Sequence, residues 1–310
     1  MTLTPNDVAT GAPLETFDAR RRYRGLFSGT LAGNLRQPRN RPRIILVACC
    51  IWLGIVVLAA IFANVLPIAN PTVIVGNINI GPNLSHEFLG TDEIGRSMIS
   101  RLVYGARISF EISILVNVVA AVVGGGIGLL SAYFKGTVTF VADTIANTIL
   151  SIPGLLLLLA IVAVFHPTIL VLVLAIAFLY LPGYMRITRA NALTQMQQEY
   201  IVAARGLGAR PHRIILHELL PNTALALVTF GALTVPGAML TEGSLSYLGF
   251  GVQLPTPSWG QMIAQGQESL TFAPWGAIIP CIVFAVTVFT LYTVGDWLRA
   301  KLDVRGGASQ

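Results

Sequence analysis

Residues 200–222 read YIVAARGLGARPHRIILHELLPN, a short basic insert between long apolar segments. Tyr200, Ala203, Ala204 and Leu207 fall at i, i+3, i+4 and i+7, which makes one apolar helical face. Gly206 and Gly208 are expected to end that helix, because glycine tolerates the left-handed cap. Pro211 suits the first turn of a second helix, where its missing N–H costs nothing. Ile214, Ile215 and Leu219 continue the apolar side, and Pro221 marks the exit into the next apolar run. Consecutive membrane spans need only a tight loop between them. A structured basic module in that place points to a docking partner. Its apolar face is narrow and alanine-rich, which suits a protein groove better than burial among lipid headgroups.

The flanking composition sets the surroundings of this module. The chain has 310 residues, 54% hydrophobic and only 11% charged, with a mean hydropathy of +0.72. Soluble domains carry about 25% charged residues, so most of this chain is built for lipid. The net charge of +6 sits in loops beside apolar runs, as positive-inside sorting requires. A nucleic-acid groove would want a basic face with aromatic platforms instead. Cys49, Cys50 and Cys281 lie inside apolar runs and read as small buried hydrophobes, not as a disulfide framework.

Six spans are expected, at residues 44–66, 108–134, 138–165, 169–184, 223–240 and 275–298. Residues 1–43 form a basic cytoplasmic tail that includes Arg20, Arg21, Arg22, Arg24, Arg36, Arg39, Arg41 and Arg43. It is too long and polar a lead for a cleavable signal. External loops are expected at 67–107 and 241–274, a cytoplasmic segment at 190–222, and a short tail at 306–310. No Lys or Arg occurs between Arg213 and Arg299, which leaves the second external loop free of positive charge. The first external loop holds Arg96, Arg101 and Arg107, with Glu87, Asp92 and Glu93 near enough to pair with them. Both termini then lie in the cytoplasm. A five-span chain would need the fifth or sixth segment to be re-entrant. Gly124, Gly125, Gly126 and Gly128 in the second span fit close helix packing, which substitutes for the missing hydrophobic drive in lipid.

No catalytic constellation stands out. His86, His166, His212 and His217 have no shared metal-ligand spacing, and no G-x-x-x-x-G-K-[ST] phosphate loop is present. ATP hydrolysis by such a loop would have to come from another chain. A charged side chain at mid-span costs about 2.5–3.5 kcal/mol on insertion scales, so each one needs a reason. Glu111 and Asp296 lie near span ends, where they can snorkel. Asp143, Asn147 and Ser151 repeat at i+4 and make a polar stripe on the third span. That stripe either packs against another subunit or faces a water-filled path. An ion-coupled secondary transporter would be expected to have deeper, paired carboxylates.

The segment V-A-A-R-G-L-G followed by L-L-P resembles the EAA-type loop of binding-protein-dependent ABC importer permeases. In that loop, E-A-A-x(3)-G is followed after nine residues by I-x-L-P. Ala203, Ala204, Gly208, Leu220 and Pro221 fall on the pattern, while Val202 and Glu218 depart from it. The stretches FLGTDEIGRSMISRLVYGARIS and EGSLSYLGFGVQLPTPSWGQM are similar to the C-type permease of dipeptide and oligopeptide importers. The resemblance covers about residues 43–304, and importers of nickel chelates, antimicrobial peptides or oligosaccharides look similar.

The resemblance implies an all-α, type I ABC importer permease fold in a bacterial plasma membrane. Implied partners are a homologous second permease subunit, two ATPase subunits carrying ATP and Mg, a substrate-binding protein and the bilayer. No cofactor, metal or nucleic acid is expected on this chain. The helix near 198–207 would be the coupling helix, with Tyr200, Ala203, Ala204, Leu207, Gly208, Leu220 and Pro221 in the ATPase-coupling segment. Gly90, Thr91, Asp92, Gly95, Arg96, Pro257, Trp259 and Gly260 would meet the binding protein.

Overall fold

A computed structural model describes residues 43–82 and 88–307, without the side chains of Arg43 and of residues 303–307. The arginine-rich tail, His86, Glu87, Arg305 and the C-terminal tail as contact-making groups lie outside the described residues. The first apolar run forms helix α1 (Arg43–Ile61). Helix α2 (Met98–Phe134) begins at Met98 and not near residue 108, as the sequence led us to expect. Arg101, one of the charges that disguise its start, is paired with Asp92 within the fold, as described below. Its 37 residues make a rod of about 55 Å, longer than the ~30 Å hydrocarbon core, so α2 projects beyond the bilayer.

Lys135 and Gly136, with φ of 51° and 53°, make the tight turn expected after α2. The third apolar run is not one straight span. It divides into α3 (Gly136–Ser151) and α4 (Gly154–Val164), bent by 92° at Ile152-Pro153. A residue before proline is pushed out of the helical region, and Ile152 is extended at φ −98°, ψ 133°. Helix α5 (Ile169–Gln195) is N-capped by Thr168 and continues past the expected end through Pro182. Then follow α6 (Glu199–Gly206), the turn α7 (Pro211–Arg213), a π turn (Ile214–Leu219), and α8 (Leu220–Tyr247). The final elements are α9 (Trp259–Glu268) and α10 (Trp275–Gly307). Among the described residues, five helical stretches are long and apolar enough to cross a bilayer, or six if α3 and α4 form one broken span.

Helices α2 and α5 make the most extensive helix pair. A Cβ on Gly124 would lie 2.9 Å from the Leu181 carbonyl oxygen, and one on Gly128 would lie 2.7 Å from that of Met185. The glycine run therefore acts as a contact strip at these two positions, whereas Gly126 has nothing within 4 Å. A core of Ile112, Val116, Leu172, Ile176, Tyr184 and Leu245 ties α2, α5 and α8 together. A second cluster around Met98, Leu102, Met239 and Trp259 joins the external ends of α2, α8 and α9.

Candidate functional site

The module between α5 and α8 is held to the body by one side of α6. Ile201 is 0% exposed and packs with Leu129, Ala192, Ile214 and Leu219. The Arg205 guanidinium stacks 5.2 Å from the Tyr133 ring at the end of α2, a contact worth about 0.5–1 kcal/mol at an exposed site. The face read from the sequence points the other way: Tyr200 and Ala203 are exposed, Ala204 is half-buried and Leu207 is 88% exposed. The anchor Ile201 was missed because Tyr200 and Ala203 obey the helical period equally well.

The end of α6 is a Schellman cap. Gly208 N–H donates to the Arg205 carbonyl at 2.9 Å, and Ala209 N–H donates to that of Ala204 at 3.0 Å. Gly208 takes φ +79°, and a Cβ there would meet open space. Backbone conformation, not crowding, selects glycine. Gly206 is the last helical residue and not a second cap. An open concavity beside the cap is lined by Ala204, Leu207, Gly208, Arg210, Arg213 and Glu218. Pro221 lies in the first turn of α8, at the entry into the fifth apolar run, as expected. A proline ring clashes with the carbonyl four residues back, and the preceding π turn widens the helix. Leu220 N–H bonds to Ile215 O, five residues back, and the chain runs directly into α8. Leu220 itself is 38% exposed.

The polar stripe on α3 is used within the chain. Asp143 pairs with Arg189 of α5 through Nη1 contacts of 2.7 and 2.8 Å. Asn147 Oδ1 accepts from Arg186 Nη2 at 2.8 Å, and Ser151 Oγ donates to the Thr148 carbonyl at 2.7 Å. The first two residues clamp α3 to α5. Ser151 closes the helix before the break.

The two motifs around Asp92 and Trp259 fold inward. Asp92 accepts from the backbone N–H groups of Ile94 and Arg96, from Arg96 Nε at 2.7 Å, and from Arg101 Nη1 at 2.9 Å. Arg101 is also held by Gln265 of α9 at 2.8 Å. Thr91 Oγ1 donates to the Asn77 carbonyl at 2.7 Å and accepts from Ile80 N–H at 2.9 Å. Gly90 and Gly95 take φ of +81° and +88° and pass close to the backbone of residues 76–81. Trp259 is 0% exposed and donates Nε1–H to the Leu102 carbonyl at 3.0 Å. Pro257 is buried beside it, and a Cβ on Gly260 would lie 2.2 Å from Gly243 O.

These residues were expected to face a partner. Instead, Thr91, Asp92, Arg96, Pro257, Trp259 and Gly260 build the platform, and their burial leaves little side-chain surface to offer. Exposed side chains on the same loops include Ile78, Phe88, Ile94 and Phe272. Burial, the neighbouring Glu268 and the Asp92 carboxylate raise the Glu93 pKa above its ordinary value, against the lowering influence of Arg96 and Arg101.

Glu242 escaped the sequence reading because the fifth span was ended near residue 240. It is fully buried near the C-terminal end of α8. Its carboxylate accepts from Ser109 Oγ at 3.0 Å and Ser246 Oγ at 2.7 Å, linking α2 to α8. Among the described residues, no group of three or more His, Cys, Asp or Glu side chains is arranged to hold a metal ion.

Residues 124–305 match the family described as the binding-protein-dependent transport system inner membrane component. A glutathione transport system permease protein GsiD of Pectobacterium atrosepticum is 34% identical over 226 residues, covering 73% of this chain and 75% of that one. The protein of that name from Escherichia coli O1:K1 is 34% identical over 227 residues, with the same shares. Inward-facing structures of the MetNI methionine ABC transporter align with a TM-score of 0.54 at 19% identity, covering 66% of this chain and 97% of that chain. At that identity the likeness concerns the fold alone. With the helical architecture, the family match and these relatives together, the chain belongs to the binding-protein-dependent transport system inner membrane components, as a multi-pass permease subunit of an ABC importer.

Proposed function

We propose that this permease imports di- and oligopeptides across a bacterial plasma membrane, supplying half of a path completed by a homologous second permease. Two separate ATPase subunits holding ATP and Mg drive it, and a substrate-binding protein delivers the cargo. The observation that carries the coupling role is the outward face of α6. Leu207 is 88% exposed beside a basic concavity, while Ile201 on the opposite side is fully buried in the body. A helix anchored along one side and apolar on the other is suited to sit in a partner's groove. Nucleotide-driven closure of the ATPases would drag α6 and, through Ile201 and the Arg205–Tyr133 contact, α2 and the π turn. The transporter then has two states whose balance the partner's ligand sets.

The peptide class rests on the external motifs and on the named activity of the relatives, since glutathione is a tripeptide. The binding protein would meet the exposed Phe88, Ile94 and Phe272, with the Asp92 and Trp259 clusters holding that surface in shape. The decisive test is uptake by proteoliposomes containing this chain, its second permease, the ATPases and the binding protein. ATP-dependent accumulation of labelled di- or tripeptides is the expected result. Accumulation of a nickel chelate or an oligosaccharide in place of peptides would reassign the cargo, and uptake without the ATPases would overturn the coupling role.

A further inference from the structure

Two hydroxyl clusters lie about one helical turn apart between α5 and α8, and only one of them is closed. In the first, Asn117 Oδ1 accepts from Tyr184 OH at 2.8 Å and from Thr234 Oγ1 at 2.5 Å. Asn117 Nδ2 also donates to the Ser113 carbonyl at 2.8 Å. This knot ties α2, α5 and α8 together, with Asn117 and Tyr184 buried. The second cluster lies one turn toward the external side. Tyr180 OH and Thr241 Oγ1 are 3.4 Å apart, at the outer limit of a hydrogen bond. Thr241 Oγ1 also donates to the Gly237 carbonyl at 2.9 Å, which leaves the Tyr292 hydroxyl as the unbonded member among the described residues. A Cβ on Gly237 would lie 2.9 Å from Tyr180 OH and 3.6 Å from Tyr292 OH, so both phenols converge over that glycine.

Tyr292 is 43% exposed and has no hydrogen-bond partner among the described residues. Tyr180, Gly237 and Thr241 are half-buried. Side chains on a helix lean toward its N-terminus, which carries the Tyr292 hydroxyl from α10 toward the external half. Just to its cytoplasmic side, α8 and α10 touch: a Cβ on Gly295 would lie 2.5 Å from the Ala232 carbonyl oxygen. Gly237 is ten residues from the end of α8 at Tyr247, about 15 Å along the helix and well inside the apolar layer.

An exposed cluster whose Tyr292 hydroxyl is unbonded is a poor surface for lipid at that depth, because hydrocarbon offers the hydroxyl no partner. We propose that Tyr180, Thr241 and Tyr292 form this chain's wall of the translocation path and hydrogen-bond the backbone of a peptide in transit. The proposal rests on the peptide-import reading above. Hydroxyls both donate and accept, as do peptide groups, so such a wall would serve many sequences. It adds no fixed charge that would trap a zwitterionic cargo. Gly237 keeps the space between the two phenols open.

Two experiments on the full reconstituted complex test this. In a background with Cys49, Cys50 and Cys281 changed to Ser, Tyr292→Cys should be labelled by a membrane-impermeant thiol reagent from the external side. Labelling should rise several-fold when ATP and the loaded binding protein open the transporter outward. Labelling only by a lipid-soluble maleimide, equal in all states, would place Tyr292 against lipid and overturn the proposal. This test holds whatever the cargo proves to be. Second, the Tyr180→Phe/Thr241→Val/Tyr292→Phe triple variant should lower peptide uptake per ATP hydrolysed about tenfold, with the assembled complex recovered in wild-type amount. Restoring Tyr292 alone should regain part of the loss. An unchanged ratio in the triple variant would refute the wall even if peptide import by the wild type is confirmed.

Discussion

The two ends of this molecule treat their signature residues in opposite ways. At one end, Leu207 at the cap of α6 points away from the chain, and the helix is held by Ile201, the Arg205–Tyr133 contact and a hydrogen bond from Tyr200 OH to Gln195. At the other end, Thr91, Asp92, Arg96 and Trp259 point inward and make their hydrogen bonds inside the chain, with the buried Arg96 Nη2 left without a partner among the described residues. A recognisable motif can therefore mark a surface kept for a partner or a scaffold that shapes a surface made of other residues. Exposure and satisfied polar atoms separate the two. Substitutions in the external cluster should accordingly cost stability, while those on α6 should cost partnership.

The largest effect is expected at Asp92. Arg96 and Arg101 are both buried around its carboxylate, and breaking a buried ion pair by removing one partner costs about 3–5 kcal/mol. Asp92→Ala should sharply lower the thermal unfolding temperature of the purified protein. A stable Asp92→Ala protein would mean that the cluster is not a scaffold. Next is Gly208→Leu, which forces a side chain into the left-handed region at φ +79°, at a cost of roughly 1–2 kcal/mol. Its membrane insertion should match wild type, while ATP hydrolysis loses its coupling to uptake in the reconstituted complex. Wild-type transport would remove Gly208 from the coupling role.

A milder change tests the outward face alone. Leu207→Ser should alter stability by less than about 0.5 kcal/mol, as exposed positions do, yet weaken ATPase co-purification several-fold. Loss of folding without loss of partner would invert the comparison. The smallest effect concerns Glu93, whose pKa is raised chiefly by burial and then by Glu268. Its carboxyl binds its proton more tightly in the folded loop than in the unfolded one. That contribution to stability is complete below the ordinary carboxylate range and is lost as pH rises through the raised value. Glu93→Gln should flatten the difference in protease resistance of the loop between about pH 5 and about pH 7. An unchanged pH dependence would assign it to other groups.

Apolar length in the sequence sufficed for the positions of the main apolar helices and for the tight Lys135-Gly136 turn, and the six expected spans match the described helices only if α3 and α4 make one broken span. What hydropathy misread has a common cause, since apolar runs mark lipid contact and not helix boundaries. Helix α2 can start at Met98 because Arg101 is paired with the nearby Asp92 and also hydrogen-bonds Gln265 of α9, a partner distant in sequence. Pro153 breaks the third run within an unbroken apolar stretch, whereas Pro182 and Pro236 are carried inside continuous helices. Residue type alone did not separate these cases. The Asp143 stripe was legible as polar, but its bonds to Arg186 and Arg189 depend on how α3 lies against α5. In the 199–219 module, the Gly208 cap and Pro211 at the first turn were readable because their chemistry is local. Ile201, the Arg205–Tyr133 stack and Glu242 depend on neighbours that only the fold supplies.

The most direct measurement is site-directed crosslinking of α6 in native membranes, with Leu207→Cys and Ile201→Cys placed separately in a background lacking the three native cysteines. Leu207→Cys should form a crosslink to an ATPase subunit whose yield changes when ATP is added, and Ile201→Cys should form none. Equal crosslinking at both positions, or none at Leu207 in an assembled and active transporter, would contradict the coupling role of α6.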